Sequence, residues 1–149
     1  MVQQLSLCLK EDFNRENMCP CRILIIDDDT DDIEVLSDAL LQSGFNSFHC
    51  IKSADEAITF LEACTIEGSL PRLIVIDLYL PANNGRQFLK IVQQNPLYNK
   101  INIVVFSNMQ LELLMDVDRN IGAADYIEKP CCYQDYLKIA AILDQKSAA

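Results

Sequence analysis

A three-layer α/β fold, built on a parallel sheet with helices against both faces, is what this sequence predicts, and three features predict it. Two apolar runs without polar alternation, Ile23-Leu24-Ile25-Ile26 and Leu73-Ile74-Val75-Ile76, read as strands contacted from above and below. Strand-like and helix-like segments then alternate along the chain, a pattern that demands parallel strands joined by right-handed crossovers. Finally, both runs break straight into acid, Asp27-Asp28-Asp29 after the first and Asp77 after the second. The carboxyl ends of strands in open α/β sheets form the ligand crevice, so these carboxylates are expected to converge there.

The elements follow in order. After the first strand, Thr30 to Gln42 carries Ile33, Leu36, Leu40 and Leu41 at helical spacing, and Gly44 supplies a stop. Asn46 to Ile51 is a short second strand. Ser53, with Glu56 three residues later, opens a second helix that runs to about Cys64. A loop from Glu67 to Pro71 leads into the third strand, Leu73 to Asp77. The segment Leu80-Pro81-Ala82-Asn83-Asn84-Gly85 is a turn, and a helix from about Arg86 to Gln94 ends near Pro96. Ile101 to Phe106 is the fourth strand, Leu111 to Ile121 a weaker amphipathic helix, Asp125 to Glu128 the fifth strand and Tyr133 to about Asp144 the last helix. Residues 1–21, polar and charged, stand outside this scheme as an N-terminal leader or arm. Residues 22–144 form the domain and residues 145–149 a C-terminal tail.

Composition narrows the function. The chain has 149 residues, enough for one domain with its own core, and half of them are apolar. A formal charge of −10, from 22 acids against 12 bases without a Lys/Arg cluster, argues against a nucleic-acid surface. Apolar stretches fall well short of the roughly 20 residues a membrane span needs, and nothing reads as a secretion signal, so a cytoplasmic home is expected. Seven cysteines, an odd number without framework spacing, fit reduced thiols. The Cys19-Pro20-Cys21 and Cys131-Cys132 pairs, in a chain whose single histidine is His49, do not make a metal-site pattern.

At the strand ends residues 22–144 resemble a receiver domain, the phosphoacceptor module of two-component response regulators. The first strand ends in an acidic pair, Asp27 and Asp28. The third ends in Asp77, followed by a loop with Pro81 and Gly85. Ser107 closes the fourth strand thirty residues past Asp77, and Lys129-Pro130 closes the fifth, with the aromatic Tyr126 just before it. The resemblance implies a flavodoxin-like doubly wound (βα)₅ sandwich with strand order 2-1-3-4-5. It also implies that Asp77 accepts a phosphoryl group from a phosphohistidine on a sensor histidine kinase or a histidine phosphotransfer protein.

That chemistry explains the residue types. A carboxylate attacks a phosphoryl group to form an acyl phosphate, but two anions meet only when cations intervene. Mg²⁺ takes oxygen ligands, and Asp28 and Asp77 suit it directly. The resemblance adds the backbone carbonyl of Tyr79 as a third ligand and Asp27 as a ligand directly or through water. Lys129 supplies a fixed positive charge and the Ser107 hydroxyl a hydrogen bond for the phosphoryl oxygens. By the same resemblance Ser107 moves toward the phosphoryl group and Tyr126 fills the space behind it. The face formed by the Leu111–Ile121 helix, the fifth strand and the last helix then changes its affinity for a protein target. The expected product is a stand-alone receiver, since only Gln145 to Ala149 follow the last helix.

Taken singly, several of these residues have plainer roles. Asp29, Asp31 and Asp32 are expected to cap and favour the positive end of the first helix, outside the site. Ser107 alone is a common N-cap, Lys129-Pro130 alone a routine strand exit, Tyr126 alone a packed aromatic and His49 a half-buried strand residue. The joint placement of Asp77, Ser107 and Lys129 at strand ends favours the functional reading. Asn108 is bulkier than the small residue many receivers carry there. Tyr79 and Met109 lack an acid or amide to orient water, so slow self-dephosphorylation is expected. The alternative is a Mg²⁺-dependent phosphohydrolase of the haloacid dehalogenase type, whose Asp-x-Asp-x-Thr/Val signature Asp27-Asp28-Asp29-Thr30-Asp31 meets only with Thr one residue early. Flavin binding on the same fold would need a hydroxyl- and glycine-rich loop where three acids stand.

Overall fold

The structure, a computed structural model, describes residues 21–108 and 125–148. Its strands are β1 (Ile23–Ile26), β2 (Phe48–Ile51), β3 (Leu73–Ile76), β4 (Asn102–Ser107) and β5 (Asp125–Glu128). All pair in parallel, in the order β2-β1-β3-β4-β5, which is the flavodoxin-like order expected. Four helices are described: α1 (Thr30–Gln42), α2 (Ala54–Glu67), α3 (Asn84–Gln94) and α4 (Tyr133–Ala148). The leader up to Pro20, Met109 and the expected Leu111–Ile121 helix lie outside the described residues.

The apolar runs carry no polar alternation because each face of the sheet has its own core. Leu24, Ile26, Ile74, Ile76 and Val105 point to the α2/α3 side, where they meet Phe60, Leu61, Phe88 and Leu89. Ile23, Ile25, Leu73, Val75, Val104 and Phe106 point to the other side, against Leu36, Leu40, Ile139 and Leu143 of α1 and α4. Successive strand residues alternate between the two layers, so both faces demand hydrocarbon.

Local chemistry sets most helix ends. Asp29 caps α1, its carboxylate accepting from the Asp31 and Asp32 N–H groups at 2.9 and 3.2 Å. Ser53 caps α2 by accepting from Glu56 N–H at 3.2 Å. That helix runs three residues beyond the expected Cys64 and stops at Gly68, whose φ of 72° suits the left-handed cap that ends it. Pro81–Asn83 forms a single 3₁₀ turn, and α3 starts at Asn84 rather than Arg86.

The C-terminal end differs more. Gln145 to Ala148, expected in the tail, continue α4. Side chains at the amino ends of β1, β3 and β4, the end of the sheet away from the strand-end acids, satisfy its last carbonyls. Arg22 donates to the Asp144 and Ser147 carbonyls, Asn102 to that of Lys146 and Arg72 to that of Ala148. Orphan carbonyls at a helix end need such partners, and here they come from residues distant in sequence.

Candidate functional site

The register of the sheet brings the acids together. Ile26 of β1 lies opposite Ile76 of β3, and Asp77 N–H donates to the Ile26 carbonyl at 3.0 Å, so Asp27 and Asp77 leave adjacent strands at the same level. Lys129 leaves β5, two strands further on. Its own N–H donates to the Ser107 carbonyl at 2.7 Å, tying the β5 exit to the last residue of β4. Its ammonium lies 5.8 Å from the centroid of the Phe106 ring. There Lys129 Nζ donates to Asp27 Oδ2 at 2.8 Å and to Asp77 Oδ2 at 3.0 Å.

A third carboxylate completes the shell. Lys129 Nζ donates to Asp32 Oδ2 at 2.7 Å, the shortest of its three ion pairs. An ammonium carries three N–H donors, and each has an acceptor here. Asp32 was expected only to favour the helix terminus, and this contact corrects that assignment: Asp29 does the capping, Asp31 is exposed, and Asp32 turns inward. The available signal was its spacing. Asp32 stands one helical turn before the buried Leu36, on the face of α1 that meets the sheet.

The other oxygens of the two strand-end acids are held by backbone. Asp27 Oδ1 accepts from Asp29 N–H and Asp77 Oδ1 from Tyr79 N–H, both at 2.9 Å. Asp27 and Asp77 are buried, at 4% and 9% exposure, while Asp28 is exposed. Burial pushes the Asp27 carboxyl up to about 6, against the opposing hydrogen bonds from Lys129 and the Asp29 N–H. For Lys129, burial alone would favour the neutral amine, but hydrogen bonds to Asp27 and Asp32 and the Asp77 charge outweigh it and hold the ammonium well above the usual lysine range.

Asp27, Asp28 and Asp77 present carboxylate oxygens that all lie within 4.8 Å of one another. Three hard, anionic oxygen donors this close together match the preference of Mg²⁺, so the residues fit a divalent cation. Ser107, closing β4 between the Asp77 and Lys129 strands, is fully buried. Tyr126 sits half-buried on β5 opposite Val105 and packs against the α2/α3 core. Tyr79 is 43% exposed, and the Arg86 guanidinium lies 5.6 Å from its ring centroid. His49 is half-buried on β2, stacked on Phe60. None of the five described cysteines forms a disulfide, and Cys8 and Cys19 lie outside the described residues.

The family profile of the response regulator receiver domain matches residues 23–141, from the start of β1 into α4. The chain belongs to the response regulator receiver family. This receiver domain is 28% identical over 109 residues to a probable chemotaxis protein CheY of Rhizobium etli, covering 73% of this chain and 81% of that one. It is also 28% identical over 109 residues to the transcriptional regulatory protein AruR of Pseudomonas aeruginosa, covering 73% of this chain but 43% of that protein. It thus spans less than half the length of several of the relatives it matches, AruR and the regulator PhoB of Klebsiella pneumoniae among them. Among solved structures, the Mn²⁺-bound form of response regulator Rcp1 superposes with a TM-score of 0.65 and 26% identity, over 83% of this chain and 91% of that one. Membership of this family sets aside the phosphohydrolase alternative. No helix among the described residues is long and apolar enough to cross a membrane.

Proposed function

We propose that this receiver accepts a phosphoryl group on Asp77 from a phosphohistidine, with Mg²⁺, and signals by phosphorylation-dependent protein contact. One observation carries the reading: a single buried ammonium, Lys129, spans the acids of two strand exits, Asp27 and Asp77, inside a carboxylate group fit for a divalent cation. Asp77 is the nucleophile. Of the three clustered acids it alone lies beside Lys129 and one strand from Ser107.

Asp27, Asp28 and Asp77, with the Tyr79 backbone carbonyl, would hold the cation, whose charge supplies neutralisation of the phosphoryl oxygens. Tyr79 N–H orients the Asp77 carboxylate by holding Oδ1. As the Asp77 O–P bond forms and the P–N bond to the donor imidazole breaks, the Asp77 carboxyl group gives up its own charge to the phosphoryl oxygens, and the Lys129 donor that it held becomes available to one of them. Ser107 donates a second hydrogen bond and moves inward to do so. Tyr126, on the neighbouring strand, follows. The face that includes β5 and α4 carries that change to a target, with no membrane or nucleic acid involved.

Incubation with acetyl phosphate and Mg²⁺, followed by intact mass, tests the reading. The wild type should gain one phosphoryl group and Asp77→Asn none. An equal gain in the variant would move the nucleophile elsewhere.

A further inference from the structure

Two groups of carboxylates overlap in this site without coinciding. The cation-binding group is Asp27, Asp28 and Asp77; the partners of Lys129 are Asp27, Asp32 and Asp77. Two acids are shared. Asp28 belongs to the cation group alone, and Asp32 to the lysine alone.

We propose that Asp32 is a positioning residue that lets Lys129 and a divalent cation occupy the site together, by giving the ammonium a carboxylate the cation does not share. The proposal rests on the receiver reading above and goes beyond it in assigning Asp32. An ammonium and a dication that drew on Asp27 and Asp77 alone would compete for the same oxygens and repel each other. Lys129 cannot turn to water instead, since its side chain is 1% exposed. Asp32 resolves the conflict because its backbone is anchored independently of both cations. It lies in the first turn of α1, and its own N–H is held by the Asp29 cap at 3.2 Å. Helix-terminus charge does not account for the placement. Asp31 serves that role from the surface, whereas Asp32 is only 26% exposed and aims at the ammonium.

Calorimetric titration of the full chain with Mg²⁺ alone tests this as a cycle of four proteins: wild type, Asp32→Asn, Lys129→Met and the double variant. Asp32→Asn should weaken Mg²⁺ binding about tenfold when Lys129 is present and less than about twofold in the Lys129→Met background. Equal losses in both backgrounds would mean that Asp32 acts only through its general field, and would overturn the proposal, as would no loss in either. Asp28→Asn serves as the contrast and should weaken binding in both backgrounds. A wild type that binds no Mg²⁺ would sink the receiver reading itself, a result distinct from a wild type that binds Mg²⁺ but ignores Asp32. Reductive methylation of Lys129 gives a second readout that does not depend on the lysine variant folding. Lys129 should stay protected in the wild type with or without Mg²⁺, and become labelled in Asp32→Asn once Mg²⁺ is added. Protection that persists in that variant would contradict the proposal.

Discussion

A Cβ built on Gly85 would stand 2.6 Å from the carbonyl oxygen of Leu78 and 2.8 Å from that of Asp77. The first turn of α3 therefore rests directly on the backbone that carries the strand-end acid. Both obstacles are main chain, which cannot rotate away as a flexible side chain does. Gly85→Ala should cost about 1–3 kcal/mol of stability by overpacking and displace Asp77 enough to weaken Mg²⁺ binding. Urea unfolding and a Mg²⁺ titration check both, and a neutral substitution would mean that α3 can lift off without consequence.

Ala82 adopts φ 60° and ψ 30°, the left-handed region, in the turn between Asp77 and α3. A side chain with a Cβ is strained there, so Ala82→Gly should stabilise the protein by about 1 kcal/mol, a rise of roughly 2–4 °C in Tm. Thermal unfolding measures it. A lower Tm would show that the turn relaxes in solution.

Asp27 holds its proton to about pH 6 because it is buried. An acid whose folded value is raised favours the folded, metal-free protein more as pH falls from about 6 toward 4, the reverse of an ordinary paired carboxylate. Cation binding needs the ionised form. Apparent Mg²⁺ affinity should therefore be flat above about pH 7 and fall, by up to about tenfold per pH unit, below 6. Asp27→Asn should flatten the profile. Calorimetry in buffers of different ionisation enthalpy would register the released proton, and its absence near pH 6 would count against the coupling.

Tyr79 borders the site without a group able to orient an attacking water, and the Arg86 guanidinium lies over its ring. The acyl phosphate of the wild type should outlast that of a Tyr79→Asn, Met109→Glu variant by about tenfold or more. Decay of the purified phosphoprotein gives the comparison directly, and a shorter wild-type lifetime would refute it.

These predictions draw on features of unequal legibility. The central strands β1 and β3 could be read from the chain because a sheet covered on both faces leaves continuous runs of Ile, Leu and Val that end where the acids begin, whereas the strand order came only with the family resemblance. Caps such as Asp29, Ser53 and Gly68 act within a few residues and leave a local mark. Long-range partners leave none. The last turn of α4 persists to Ala148 because Arg22, Arg72 and Asn102 reach its carbonyls across more than 40 residues of chain. Asp32 was hidden for the same reason. An acid in the first turn of a helix already has a sufficient local role, and only the fold brings Lys129, 97 residues away, to it.

On the proposed function, the exits of β1, β3 and β5 build one phosphoacceptor site around Asp77. Borohydride reduction of the protein after reaction with acetyl phosphate and Mg²⁺ converts an acyl phosphate to an alcohol at the carboxylate that carried it, and peptide mapping then locates the position. Reduction at Asp77 alone is the expected result. Reduction at Asp27 or Asp28, or at no aspartate in protein shown to carry the phosphoryl group, would contradict the account.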